Sequence, residues 1–200
     1  MRILVLLCIF FSLTALQAQT YKDSIIAFQV HLNEEYRDTI KSPLSHEDIE
    51  KFQGHTFFAV DENFKVTANF QRALNPIPYQ MKTTTDRVPV YDIYGIATFT
   101  INGKEMKLNI YQSHYLRTKE KYKNRLFLPF TDLTNGIDTY TGGRYVDFKI
   151  PAGDTILIDF SKAYNPYFAY NIDYSCPIPP KENDMPIAIR AGILMQPEPE

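Results

Sequence analysis

Tryptophan is absent from the 200 residues, cysteine occurs twice, and no apolar run is long enough for a membrane-spanning helix, which needs roughly 20 residues. Each absence excludes something. Without Trp, ring chemistry rests on 14 Tyr and 14 Phe, and Tyr is the ring that sits half buried with its hydroxyl on a partner. Cys8 lies in the N-terminal apolar run, so its removal with that run leaves Cys176 alone and no intrachain disulfide to form. His31, His46, His55 and His114 never fall in a ligand pair, which excludes a histidine metal site, and Asp132 to Asp138 lacks the acid spacing of a calcium loop. There is no phosphate-binding Gly-rich loop and no Gly-x-Ser-x-Gly element; no cofactor is expected. The formal net charge of −2 carries no nucleic-acid footprint.

What is present begins with a secretory pattern. Arg2 precedes the apolar run Ile3 to Leu13, and the small and polar residues Ala15 to Gln19 follow. This is a signal peptide over residues 1–18 with cleavage expected after Ala18, so the chain is expected to be exported, periplasmic or secreted, with no membrane span once the signal is gone. Cys8 lies inside the apolar run rather than behind a small-residue box, which argues against a lipid anchor on that thiol.

The remainder has the size and apolar content of one domain. Residues 19–55 are expected to form a helical cap. Ile25, Phe28, Leu32 and Tyr36 recur at three- and four-residue spacing, and Ser45 with Asp48 forms a capping signal for a short helix at about 46 to 52, ended by Gly54. Residues 56–195 are expected to be β-rich and residues 196–200 a frayed tail. Strand chemistry marks Thr56 to Val60, Phe64 to Phe70, Val90 to Tyr94, Leu126 to Phe130, Tyr145 to Ile150, Thr155 to Phe160 and Ile187 to Ile189. Leu126 to Phe130 is expected at an edge because Pro129 lacks an amide, and Pro151 to Asp154 is expected to close a hairpin. The most definite hairpin is Ala97 to Ile110, turning at Asn102-Gly103, which sets Phe99 opposite Met106, Ala97 opposite Leu108 and Gly95 opposite Ile110. Arg117, Lys119, Lys121, Lys123 and Arg125 fall at alternating positions, and a solvated loop over residues 113 to 125 is favoured over an anion-binding stripe. The total is mainly β: an antiparallel β-sandwich or partly open barrel of eight to nine strands with two short N-terminal helices.

From Pro129 to Asn183 polar and aromatic residues gather at strand ends beside Gly and Pro. The segments are Phe130-Thr131-Asp132, Tyr140 with Gly142-Gly143-Arg144-Tyr145, Asp159-Phe160-Ser161-Lys162-Ala163-Tyr164-Asn165-Pro166, and Cys176-Pro177-Ile178-Pro179-Pro180-Lys181-Glu182-Asn183. In these segments the stretch 127–192 resembles the signature half of the domain of unknown function 1684 family. A looser likeness reaches the N-terminal helix, Ser42-Pro43-Leu44 and Phe52 to Ala59. The resemblance implies a class of exported bacterial proteins and no activity. It also implies that relatives pair Cys176 with a second cysteine where this chain has Phe168, that Asn is usual at Ser161, and that an acid is usual at Ile193.

The residues themselves offer three readings. Arg144 brings a planar fork suited to a carboxylate or phosphate, and a buried ion pair with Asp132 or Asp159 is its alternative. Tyr140, Tyr164, Tyr167 and Tyr170 suit ring stacking or interlocking corners, and Asn165 and Asn171 suit turn capping or ligand binding. Asp132, Tyr140, Arg144, Asp159, Tyr164, Asn165, Tyr170, Asn171, Glu182 and Asn183 are accordingly expected to line a pocket for a small polar or anionic molecule, a saccharide or lipid headgroup. A hydrolase using an Asp or Glu pair from Asp132, Asp159 and Glu182 is the second reading, with a carboxylate separation of about 5 to 10 Å as its sign for a glycoside. A purely structural polar network is the third.

Overall fold

The computed structural model describes the backbone of residues 2–195 and the side chains of residues 19–195. The signal-peptide expectation rests on residues 1–18, whose side chains lie outside the described residues, as does the tail at 196–200. Among the described residues no helix is long and apolar enough to cross a membrane.

The helical period of Ile25 to Tyr36 is realised in α1 (Arg2–Arg37), which buries Tyr21, Ile25 and Tyr36 and leaves Lys22, Asp23 and Glu34 in solvent. Its anchor is polar: the Tyr21 hydroxyl donates to Asp159 Oδ1 at 2.9 Å and lies 3.2 Å from Ser161 Oγ. A short α2 (His46–Lys51) follows, with the Ser45 hydroxyl accepting from the Asp48 amide at 3.1 Å, as the capping signal requires.

The strands are β1 (Lys65–Arg72), β2 (Pro78–Gln80), β3 (Val90–Ile101), β4 (Lys104–Ser113), β5 (Arg125–Phe130), β6 (Arg144–Lys149) and β7 (Thr155–Asp159). They make one antiparallel sheet of seven strands in the order β6-β5-β4-β3-β1-β7, with β2 on β3, curled into a half-barrel. The hairpin register is the one the sequence sets: Phe99 faces Met106, Ala97 faces Leu108 and Gly95 faces Ile110.

Several expectations are corrected. Among the described residues there are seven strands rather than eight or nine, and they form one sheet, not two. Val90 to Tyr94 and Ala97 to Ile101 are one strand, β3, interrupted by a bulge between Ile93 and Gly95. Gly95 there lies under the Phe70 ring, where a Cβ would come within 2.6 Å of Cζ. Pro129 is internal, because β5 lies between β4 and β6. β5 registers with β4 only at Tyr111 opposite Phe127. The Asn183 carboxamide bridges the opened ladder beyond, accepting from the Asn109 amide at 2.8 Å and donating to the Asn109 and Pro129 carbonyls at 2.9 and 2.8 Å. Finally, β6 and β7 are no hairpin: they end the sheet at opposite edges, and the Pro151 to Asp154 connection spans the opening between them.

The C-terminal segment replaces the missing second layer. Met185, Ile187, Ile189, Ala191 and Ile193 are buried at alternating positions; the first four pack with Leu108, Leu126, Leu128, Phe130 and Ile158 in the main core. Ile187 to Ile189 therefore has a strand's period without being a strand: the Ile189 amide and carbonyl go to the Asp132 and Arg144 side chains, and the Ile187 carbonyl accepts from the Leu133 amide. Thr56 to Val60 likewise reduces to a single bridge, Phe57 to Ile193. On the other face of the sheet Met81, Tyr91, Tyr111, Phe127 and Tyr145 form a second, largely aromatic cluster.

Candidate functional site

Arg144 leaves β6 toward the main core and is wholly inaccessible, as is the side chain of its partner Asp132. Its Nη2 donates to Asp132 Oδ2 at 2.8 Å and to the Ile189 carbonyl at 2.8 Å, and Nη1 donates to the Ala191 carbonyl. Asp132 Oδ1 accepts from the Thr134 amide, the Thr134 hydroxyl and the Ile189 amide at 2.9, 2.6 and 3.1 Å. Burial pushes the Arg144 pKa down and Asp132 opposes it; a guanidinium remains charged in any case. The pair thus supplies to the C-terminal segment the hydrogen bonds that a neighbouring strand would otherwise give.

The other expected residues are dispersed. Asp159 caps the 3-10 turn Phe160–Lys162 through the Ser161 amide and lines a cavity of about 280 Å³ between β6 and β7. Asn165 Nδ2 donates to the Tyr170 hydroxyl at 3.0 Å, and Tyr170 packs edge-on to Tyr36 and His55. Asn171 Nδ2 donates to the Pro43 carbonyl at 3.2 Å, and Glu182 is exposed. Tyr140 is half buried against Gly142. Asp132, Tyr140, Arg144, Asn165, Tyr170, Asn171, Glu182 and Asn183 line none of the three cavities described here, and Asp132, Asp159 and Glu182 do not share one.

Tyr164 is the expected residue that meets the most suggestive cavity. The slot, about 210 Å³, lies over the second aromatic cluster and is walled by Tyr91, Phe127, Tyr145, Tyr164 and Tyr167. Phe127 and Tyr145 meet at 67° with centroids 4.8 Å apart and Tyr145 and Tyr164 at 84° and 5.8 Å, while Tyr91 and Phe127 are tilted by 32° at 5.9 Å. Hydroxyl anchors hold the rings: Tyr145 donates to the Pro177 carbonyl and Tyr164 to Asp147 Oδ2 at 2.8 Å. Burial, then the Asp147 charge, raises the Tyr164 pKa well above that of an ordinary phenol, and burial alone leads the rise at Tyr145. Cys176 also lines the slot, with its thiol pKa raised by burial and its sulfur accepting from the Phe168 amide at 3.3 Å.

At the mouth, Arg125 meets Asp147 in a two-pronged pair, Nε to Oδ1 at 2.9 Å and Nη2 to Oδ2 at 2.6 Å, with Nη2 also 3.2 Å from the Tyr164 hydroxyl. Arg125, Tyr164 and Tyr167 are shared with a larger cleft of about 740 Å³ that runs toward Phe28 and Leu32 of α1. In that cleft Lys123 is paired with Glu120, while Lys121 and Lys149 have no acidic partner among the described residues.

Sequence reasoning misses Arg125, Asp147, Tyr91, Phe127 and Tyr145 as site residues. A signal existed in β5: Leu126 to Phe130 is apolar at every position, which marks a strand covered on both faces. The stripe of basic residues is also divided by the fold: Arg117 pairs with Asp92 and Arg125 with Asp147, while Lys121 lies over the Tyr122 ring, 5.2 Å from its centroid.

Among solved structures the chain is similar to the uncharacterized protein from gene locus rrnAC0354 of Haloarcula marismortui, determined by solution NMR. The two are 27% identical, the match covers 89% of this chain and 96% of that one, and the TM-score is 0.68. No curated protein matches the chain. A family model described as protein of unknown function (DUF1684) matches residues 50–193, a span that includes the Arg144–Asp132 clamp and every strand, and the chain belongs to that family.

Proposed function

We propose that this is an exported binding protein for a small polar or anionic molecule, held in the tyrosine-walled slot with its charged end at Arg125 and the neighbouring lysines. The observation that carries this reading is the slot itself. A cavity of roughly 150 Å³ already admits a benzene ring, so one of 210 Å³ that opens into a larger cleft has room for a compact ligand. The Tyr145 and Tyr164 hydroxyls are anchored within the protein, so these two walls are fixed before a ligand arrives and less ordering is left for binding to offset. The signature residues Arg144, Asp132 and Asn183 act in this reading as the frame that holds the sheet behind the slot. The hydrolase reading gains no support, since its acids share no described cleft. Export is supported by the charged and apolar N-terminus.

The test is a thermal-shift screen of the purified protein against small envelope metabolites, saccharides and headgroups included, repeated with Tyr167→Ala. Tyr167 is 41% exposed, so its removal should spare the fold. A compound that stabilises the wild-type protein and loses most of that effect in the variant is the expected result. A screen with no stabilising compound, or stabilisation indifferent to the slot, refutes the reading.

A further inference from the structure

The chemistry of the slot narrows its ligand, provided the binding reading above holds. Several of its polar groups are committed: the Tyr145 and Tyr164 hydroxyls are anchored as described, and Ser113 Oγ accepts from the Leu116 amide at 3.2 Å. A saccharide entering it would bury hydroxyls with few partners, and each unsatisfied one is costly. The slot offers aromatic rings instead, at interplanar angles from 32° between Tyr91 and Phe127 to 84° between Tyr145 and Tyr164. A slot walled by several rings can turn negative π faces toward a guest, the means by which aromatic cages take methylated ammonium groups, which need no hydrogen bonds. Arg125 stands at the mouth of the slot in a two-pronged pair with Asp147, which leaves its Nη1 for an anion.

The mouth selects the opposite charge. Arg125 lines both slot and cleft, and its Nη1 makes no hydrogen bond among the described residues. Lys121 and Lys149 line the same cleft without acidic partners, against Glu35 on α1, whose neighbour is His31 at 3.6 Å. An anionic group joined to the caged ammonium by a short linker would meet these cations. We infer that the slot and its mouth bind a zwitterion in which a methylated ammonium is joined by a short linker to a phosphate or carboxylate, the chemistry of phosphocholine and of betaines.

Calorimetric titration of the purified protein with phosphocholine, choline, glycine betaine, phosphoethanolamine, inorganic phosphate and glucose tests this. Phosphocholine should bind saturably at one site. Choline, lacking the anion, and phosphoethanolamine, lacking the methyl groups, should each bind about tenfold more weakly or worse, and inorganic phosphate weaker still. Tyr167→Ala should weaken phosphocholine by roughly tenfold, and Arg125→Met should erase its advantage over choline. Tyr115→Ala, an exposed ring outside the slot, should change nothing. Flotation with phosphatidylcholine vesicles distinguishes the source: co-flotation competed by free phosphocholine means a lipid headgroup, and binding of the free compound without flotation means a soluble zwitterion. Either outcome supports the inference. Phosphocholine and betaine failing to bind while glucose or another screened compound binds through Tyr167 overturns it and leaves the binding reading standing. No binding by any compound ends both.

Discussion

Replacing Arg144 by Met keeps the apolar stem and removes the guanidinium, which isolates the clamp between Asp132 and the C-terminal segment. The Asp132 carboxylate would stay buried with the Thr134 and Ile189 donors but without its counter-charge, and the Ile189 and Ala191 carbonyls would each lose a donor. Breaking a buried ion pair from one side costs about 3–5 kcal/mol, and each stranded carbonyl adds about 1 kcal/mol. The sum is comparable with the roughly 5–15 kcal/mol that holds a domain together, so the variant should lie near the edge of folding and lose about 10–30 °C of midpoint. Urea unfolding followed by far-UV circular dichroism measures the loss. The decisive comparison is the double variant Arg144→Met with Asp132→Asn: removing the orphaned charge should recover about 2 kcal/mol, because much of the single variant's cost is an unpaired carboxylate rather than a lost attraction. A single variant within about 1 kcal/mol of wild type, or a double variant whose costs simply add, would refute this account of the clamp.

Two further outcomes are expected. Asn183→Ala should cost about 2–4 kcal/mol, since three hydrogen bonds to backbone groups are lost at once, and the Asn109 amide should exchange its hydrogen faster; unchanged protection at Asn109 would contradict the bridging role. His55 is held neutral by burial and then by Arg37, its pKa lowered to about 4. The unfolded chain, with the ordinary value near 6.5, binds the proton first as pH falls, so the stability owed to neutral His55 is present at pH 7 and declines between about pH 6.5 and 4, by up to about 3 kcal/mol. The urea midpoints of His55→Gln should vary less across that window than those of the wild type, and parallel curves would exclude His55 as the source.

What the sequence makes legible is local. Asn102-Gly103 and the alternation on either side set a turn and a register together, so β3 and β4 could be paired residue by residue. The Ser45 cap is legible for the same reason, as its partner Asp48 is three residues away. The strand count fails where a local cue has a tertiary meaning. Gly95 looks like a break but accommodates Phe70 inside a continuous strand, and Pro129 looks like an edge but is internal beside a gap that Asn183 bridges. The partners of Arg144 include carbonyls more than forty positions away, and only the folded path of the C-terminal segment brings them within reach. The slot is less legible still: Tyr91, Phe127 and Tyr145 come from β3, β5 and β6, and no spacing rule joins residues whose proximity depends on the order of strands in a sheet.

The clamp and the slot are nevertheless one construction, because consecutive residues of a strand face opposite sides. Gly143, at φ +84, brings the chain past the Phe130 carbonyl, where a Cβ would approach to 2.6 Å. Arg144 then points into the core and fastens the C-terminal segment, which obliges Tyr145 to point outward into the aromatic cluster, with its hydroxyl on Pro177. Pro177 belongs to the Cys-Pro-x-Pro-Pro stretch, and Cys176 beside it lines the slot. A slip of one residue in β6 would bring the guanidinium to the tyrosines and leave a phenol among the leucines, so the buried charge fixes the register that builds the slot wall. Gly-Gly-Arg-Tyr is therefore a positioning element: its arginine reaches no described cavity, and its tyrosine forms part of one.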